Sequence, residues 1–334
     1  MDAGSFTVTI VMLVVVALAF DFMNGFHDAA NSIATVVSTG VLKPYQAVIW
    51  AAFFNFVAIA VFELKVAATV GKGIVDPAFV DNHVIFGALI GAISWNVITW
   101  YYGLPSSSSH ALIGGMIGAT ISKAGTGPLL APGIIKTASF IVVAPLLGML
   151  LSGTIIVGLS WLCRRRTQLQ TDRWFRRLQY VSSALYSIGH GSNDAQKTMG
   201  IIWLLLMSAN LASPQHLPNW VIVACYIAIA FGTLFGGWRI VKTMGQRITK
   251  LKPIGGFSAE TGGAISLFLA TTFGIPVSTT HTITGSIIGV GSAQRARAVR
   301  WGVAGNIIAA WVLTIPASAL IAAAAWWAGW RLFS

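Results

Sequence analysis

Apolar residues run in long stretches along the chain, at 6–20, 46–62, 84–102, 134–163, 219–238 and 301–328. A helix that crosses a bilayer needs roughly 20 predominantly apolar residues. Several runs reach that length; others are short, or broken by glycine, proline and polar side chains. The pattern predicts an all-α polytopic membrane protein with about ten to twelve membrane segments. Between two of the runs stands "PSSSSHALIGGMIG" at 105–118, with five hydrogen-bonding side chains in a row. Proline suits the first turn of a helix and serine is a strong N-cap. Gly114 and Gly118 interrupt the apolar run that follows, so a re-entrant half-helix hairpin is expected there instead of a full span.

That stretch recurs as "PVSTTHTITGSIIG" at 276–289, with proline, hydroxyl run, histidine and both later glycines in register. Upstream, "NGFHDAANS" at 24–32 returns as "HGSNDAQKT" at 190–198. The interval from Asp28 to Gly103 nearly equals that from Asp194 to Gly274. Two motifs in the same order at nearly the same spacing define a duplication. The expected organisation is a transmembrane repeat at 1–162, a basic linker at 163–178 and a second transmembrane repeat at 179–334.

Charge sets the orientation. Only 9% of residues are charged and 56% are hydrophobic, yet the net charge is +12. The bases cluster in "RRRTQLQTDRWFRR" (164–177), "RIVKTMGQRITKLK" (239–252) and "RARAVR" (295–300). Bases gathered between apolar spans follow the positive-inside rule, which puts these loops in the cytoplasm and argues against nucleic acid as a partner. No base precedes Lys43, so the N-terminus is expected outside, and no secretory signal peptide is read there. The repeats then enter from opposite faces, an inverted-topology construction common in secondary transporters. Cys163 and Cys225 support neither a disulfide framework nor a metal cluster.

The candidate chemistry lies in the repeated motifs. Unpaired N–H groups and the positive end of the macrodipole make a helix start an anion site. Ser107, Ser108 and Ser109, with Ser278, Thr279 and Thr280, add neutral donors. Alternatively, such hydroxyls bond back to the backbone or join helices. Asp28 and Asn31 share a helical face and suit a small hard cation or a proton. The same offset gives Asp194 and Lys197, where the ammonium can pair with the carboxylate, replace a bound cation or reach an anionic substrate. His27, His110, His190 and His281 can brace helices or relay protons. Glu260 opens another membrane segment and is a further candidate for the coupling ion, while Asp21 and Glu63 read as structural or interfacial. Trp326, Trp327 and Trp330 read as interfacial anchors. Adjacent Ser and His could suggest a hydrolase, but no nucleophile elbow accompanies them. Neither catalytic residues nor a bound metal are expected, and a passive channel fits the buried acids poorly.

"NGFHDAANSIAT", "HGSNDAQKTMG", "GLPSSSSHALIGG" and "GIPVSTTHTITGS" resemble the duplicated signatures of the inorganic phosphate transporter (Pit) family over nearly the whole chain. The resemblance implies secondary transport of phosphate driven by H⁺ or Na⁺, inverted repeats, re-entrant hairpins and a homodimer in the bacterial cytoplasmic membrane. It places Asp28, Asn31, Asn193 and Asp194 at or near the cation and phosphate sites, with the hydroxyl runs holding phosphate. Sodium-coupled members tend to carry Gly-x-Asn-Asp-x-x-Asn in both halves. Here His27 and Lys197 stand at two of those positions, and Asn55 aligns with a membrane glutamate of many such members. The departures favour H⁺, with phosphate travelling alone or with Mg²⁺ or another divalent cation. Sulfate is the alternative anion. No cofactor is expected.

Overall fold

The computed structural model describes residues 3–333. Its order is α1 (Ala3–Ser38), α2 (Pro44–Val57), α3 (Lys65–Gly73), α4 (Asn82–Tyr102), α5 (Ser108–Ala124) and α6 (Ala131–Leu162). It continues with α7 (Gln168–Ser208), α8 (Asn219–Phe235), α9 (Trp238–Lys242), α10 (Pro253–Thr272), α11 (Thr279–Gln294) and α12 (Trp301–Phe333). Among the described residues there is no strand beyond one isolated bridge, Val75 to Leu129. The same sequence of shapes occurs twice: a long helix, a bent pair, a straight helix, a short helix and a long helix. The bends measure 83° between α2 and α3 and 62° between α8 and the turn that includes α9.

Four helices, α1, α4, α6 and α12, are long and apolar enough to cross a membrane, and six segments pass if each bent pair counts once. The expected ten to twelve segments also include helices too short or too polar for that count: α5 and α11 have 17 and 16 residues, and α7 and α10 carry polar side chains. Those polar faces are turned into the protein and need no apolar cover. Lipid-facing character is concentrated on α6 and α12, where Val142, Leu150, Val312 and Leu320 are exposed. Trp326 is a correction to the reading of interfacial anchors: it is buried in the core with Ala322 and Leu89, while Trp327 and Trp330 are exposed. About two thirds of the basic linker, from Gln168 on, is also the first turns of α7, capped by Thr167.

The equivalent glycines Gly103 and Gly274 close α4 and α10 at φ of +65° and +64°, a left-handed conformation that glycine adopts without strain. Each reverses the chain into a short helix. Pro105 and Pro276 are not in the first helical turn as expected; they precede the caps Ser107 and Ser278. Gly114 and Gly118 likewise do not interrupt α5, which runs through both. They let it approach another backbone: a Cβ at Gly118 would overlap the Ala319 carbonyl of α12, and one at Gly285 the Pro145 carbonyl of α6. Hairpin α4–α5 therefore packs on α12, and hairpin α10–α11 on α6. The final helix of each half seats the hairpin of the other.

Helices α1 and α7 cross the middle in opposite directions. Thr198 Oγ1 donates to Asp21 at 2.8 Å, and Thr39 Oγ1 to Gln179 at 2.9 Å, so one chain position rises as its partner falls. Gly25 lies against Ile229 of α8 and Gly191 against Asn55 of α2, which holds each long helix to the bent pair of the other half.

Candidate functional site

The two short helices start close together. Ser107 accepts from the His110 backbone N–H at 3.2 Å, and Ser278 from that of His281 at the same distance. One hydroxyl in each run thus caps its own helix, as N-cap chemistry requires. The His110 and His281 rings meet edge to face at 4.8 Å, and His281 stacks on Trp311 at 3.9 Å. The Trp311 indole donates to the Pro105 carbonyl at 3.1 Å. His281 also lies against the backbone of Ile141, whose carbonyl loses its helical donor to Pro145. These two histidines brace the paired helix starts.

The remaining hydroxyls join α1 and α7. Asn31 Nδ2 donates to Thr279 and Thr280 at 3.1 and 3.0 Å. Thr279 donates to Asp194 Oδ2 at 2.9 Å, and Thr280 to Asp28 Oδ1 at 3.4 Å. The Lys197 ammonium donates to Asp194 Oδ1 at 2.6 Å, Ser109 Oγ at 2.5 Å and the Val277 carbonyl at 2.6 Å. Lys197 thereby ties α7 to α5 and to the turn that leads into α11. Asn31 Oδ1 and Ser108 Oγ are buried here without a partner.

Each aspartate is backed by a histidine. His27 Nδ1 is 2.6 Å from Asp28 Oδ1, and its Nε2 is 3.1 Å from Thr99 Oγ1. Thr99 uses its own proton on the Trp95 carbonyl at 2.9 Å and accepts from Ser106 at 3.0 Å. His27 Nε2 must then carry hydrogen. His190 lies against Asp194, its Nε2 3.2 Å from Asp194 Oδ2 but outside hydrogen-bond geometry, and its Nδ1 is 3.1 Å from Asn55 Oδ1. Asn55 gives its amide N–H to Thr233 at 2.9 Å, and Thr233 gives its proton to the Ile229 carbonyl at 2.8 Å. With Asn55 Oδ1 left as acceptor, His190 Nδ1 is the protonated nitrogen. In both pairs the ring nitrogen facing the carboxylate lacks a hydrogen in the neutral imidazole, so each contact is favourable only with one further proton or cation. Asp28, His190 and Asp194 present ligand atoms within 4.8 Å of one another.

Not every expected residue joins this centre. Asn193 donates to Thr271 Oγ1 and the Ile275 carbonyl at 3.1 and 3.2 Å, which fastens α7 to the α10–α11 turn. Glu260 of α10 lies beside Thr35, two turns past Asp28 on α1, accepting from Thr35 at 2.7 Å, Gln179 at 2.9 Å and Ser182 at 2.5 Å. Replacing it with alanine leaves those buried donors without their acceptor. We expect Glu260→Ala to lose about 2–3 kcal/mol and Glu260→Gln, which keeps one acceptor, to lose less. Thermal unfolding followed by size-exclusion chromatography measures both, and equal melting temperatures would contradict the role. Glu63 is exposed and paired with Lys65 at 2.9 Å. The reading from sequence omitted Thr35, Thr99, Gln179 and Ser182. For Thr35 the signal was available: it continues the polar face of Asp21, Asn24, Asp28 and Asn31 at helical spacing.

The profile of the phosphate transporter family (PHO4) matches residues 24–322. A "Probable low-affinity inorganic phosphate transporter" of Rhizobium meliloti is 60% identical over 98% of each chain. One of the same description from Bacillus subtilis is 48% identical over 95% of this chain and 96% of its own. A solved structure, "The sodium-dependent phosphate transporter", superposes with a TM-score of 0.87 at 25% identity, covering 98% of this chain and all of that one.

Proposed function

The chain belongs to the phosphate transporter family, and from that premise we propose that it imports inorganic phosphate as a proton-coupled symporter by alternating access. It is an integral protein of the bacterial cytoplasmic membrane, and a transporter rather than an enzyme. The observation that carries the reading is the pair of buried His–Asp contacts, each needing one proton, beside two opposed helix starts. Those starts supply N–H groups and positive dipole ends to an oxyanion. Lys197 supplies a cation fixed by Asp194, Ser109 and Val277. Asp28, which has no lysine beside it, repels the anion until a proton neutralises it, whereas Asp194 is already balanced by Lys197. Protonation and phosphate binding then favour each other, which is the coupling a symporter needs.

The two halves act as inverted repeats in this reading, supported by the opposed directions of α1 and α7 and by the repeated order of helices. The homodimer implied by the family resemblance belongs to the same proposal. Sodium coupling is the second reading, favoured by the convergent Asp28, His190 and Asp194 and by the sodium-dependent solved relative. Lys197 argues against a second sodium there, because its ammonium already neutralises Asp194.

Purified protein in liposomes tests this. Labelled phosphate should accumulate under an inward pH gradient without sodium, with Mg²⁺ changing the rate only if a metal–phosphate complex is the cargo. Accumulation that needs Na⁺ and ignores pH overturns proton coupling. Sulfate uptake unaffected by excess phosphate overturns the choice of anion.

A further inference from the structure

Asp21 is a membrane-embedded acid that belongs neither to the site above nor to the Glu260 cluster. It is fully buried in α1, seven residues before Asp28 and therefore about 10 Å from it along the helix. Thr198 of α7 donates to its Oδ1 at 2.8 Å. Its Oδ2 is buried without a partner, and so is Oδ1 of Asn24, one turn away on the same face. The neighbouring groups complete its surroundings: the Asn24 amide on α1, the Cys225 thiol and Tyr226 on α8, and Asp194 farther off on α7. No lysine, arginine or histidine pairs with it among the described residues.

An ionised carboxylate with no counter-charge is strongly disfavoured in such a place. A small hard cation would be poorly served, because it wants about six oxygen ligands and finds a thiol and few oxygens. A proton fits. Placed on Oδ2, the oxygen that lacks a partner, it turns a buried uncompensated carboxylate into a neutral carboxyl. Thr198 also adjoins Lys197 in sequence, so the carboxyl and the central ion pair hang on one turn of α7.

We propose that Asp21, held by Thr198 and Asn24, is a second proton-binding site that loads and unloads during each transport cycle, separate from the His–Asp pairs. This rests on the proton-coupled reading. When Asp21 is protonated the loaded protein can exchange phosphate across the membrane. For Asp21 to add to gradient-driven uptake its proton must leave on the inner side, because otherwise the empty carrier returns with Asp21 still protonated and only the His–Asp pairs draw on the gradient.

Asparagine mimics the protonated acid. Asp21→Asn should keep phosphate–phosphate exchange at equal pH within about twofold of wild type and lose pH-driven accumulation at least tenfold; Asp21→Glu should restore accumulation. Thr198→Val removes a donor to the carboxylate, so the pH profile of driven uptake should move to higher pH with exchange retained. Undiminished accumulation in Asp21→Asn overturns the site. So does loss of exchange and accumulation together in a variant that elutes as a single folded species, since that marks a structural role. A wild type that ignores the pH gradient removes the proton-coupled reading itself. A wild type that responds while Asp21→Asn accumulates normally removes this site alone.

Discussion

Asp194→Asn is expected to cost about 3–5 kcal/mol of stability and to abolish phosphate uptake, the largest loss from any single side chain at the centre. Lys197 is 2% exposed, and its ammonium faces Asp194, a hydroxyl and a carbonyl. Removing the carboxylate leaves a buried cation without its counter-charge, which is far costlier than removing both partners together. The double variant Asp194→Asn with Lys197→Met should therefore regain most of the melting temperature while transporting nothing. That separation divides what the pair does for folding from what it does for phosphate. A single Asp194→Asn variant with wild-type melting temperature and uptake would contradict both parts. If the double variant regained transport as well, the pair would be a strut only.

The second large effect concerns two glycines that touch no ligand. Gly118→Val and Gly285→Val should each destabilise by more than the roughly 1–3 kcal/mol of ordinary overpacking. The clash is with backbone, at Ala319 and Pro145, and a main-chain carbonyl cannot rotate away as a side chain can. The short helix must instead lift from its long neighbour, moving the capped end that carries the hydroxyls. Alanine should give the same defect in milder form, with weaker phosphate affinity in whatever protein folds. Gly305→Ala is the control, since a Cβ there meets nothing within 4 Å. Melting temperatures for the five variants decide it: alanine improves helix propensity, so Gly305→Ala should be no less stable than wild type, and a Gly305 variant as damaged as the Gly118→Ala variant would show that close approach does not govern.

Much of the site was legible in the sequence because duplication writes each element twice. The matched Gly103 and Gly274 marked both reversals, and the hydroxyl runs marked both helix starts. Asp28 and Asn31 sit on one face, as their spacing requires, and meet Thr280 together. What the sequence did not show was pairing across the fold. Glu260 was visible as a buried acid, but Thr35, Gln179 and Ser182 come from two other helices distant in the chain. The histidines looked alike in sequence, yet two brace helix starts and two face carboxylates, a difference made by Trp311, Thr99 and Asn55. Gly114 and Gly118 looked like breaks because their meaning depends on α12, which lies against them only in the folded chain.

The exchange of final helices bears on how the protein is made. Hairpin α4–α5 ends at Ala124, and the helix that seats it does not begin until Trp301. A ribosome releases the first hairpin long before its partner exists, so its serines and glycines wait in the translocon or among lipids unprotected. Hairpin α10–α11 has no such wait, because α6 is already in place when it emerges. The start of α5 is consequently the last part of the centre to be covered, and a chain halted before α12 leaves it open to quality-control proteases.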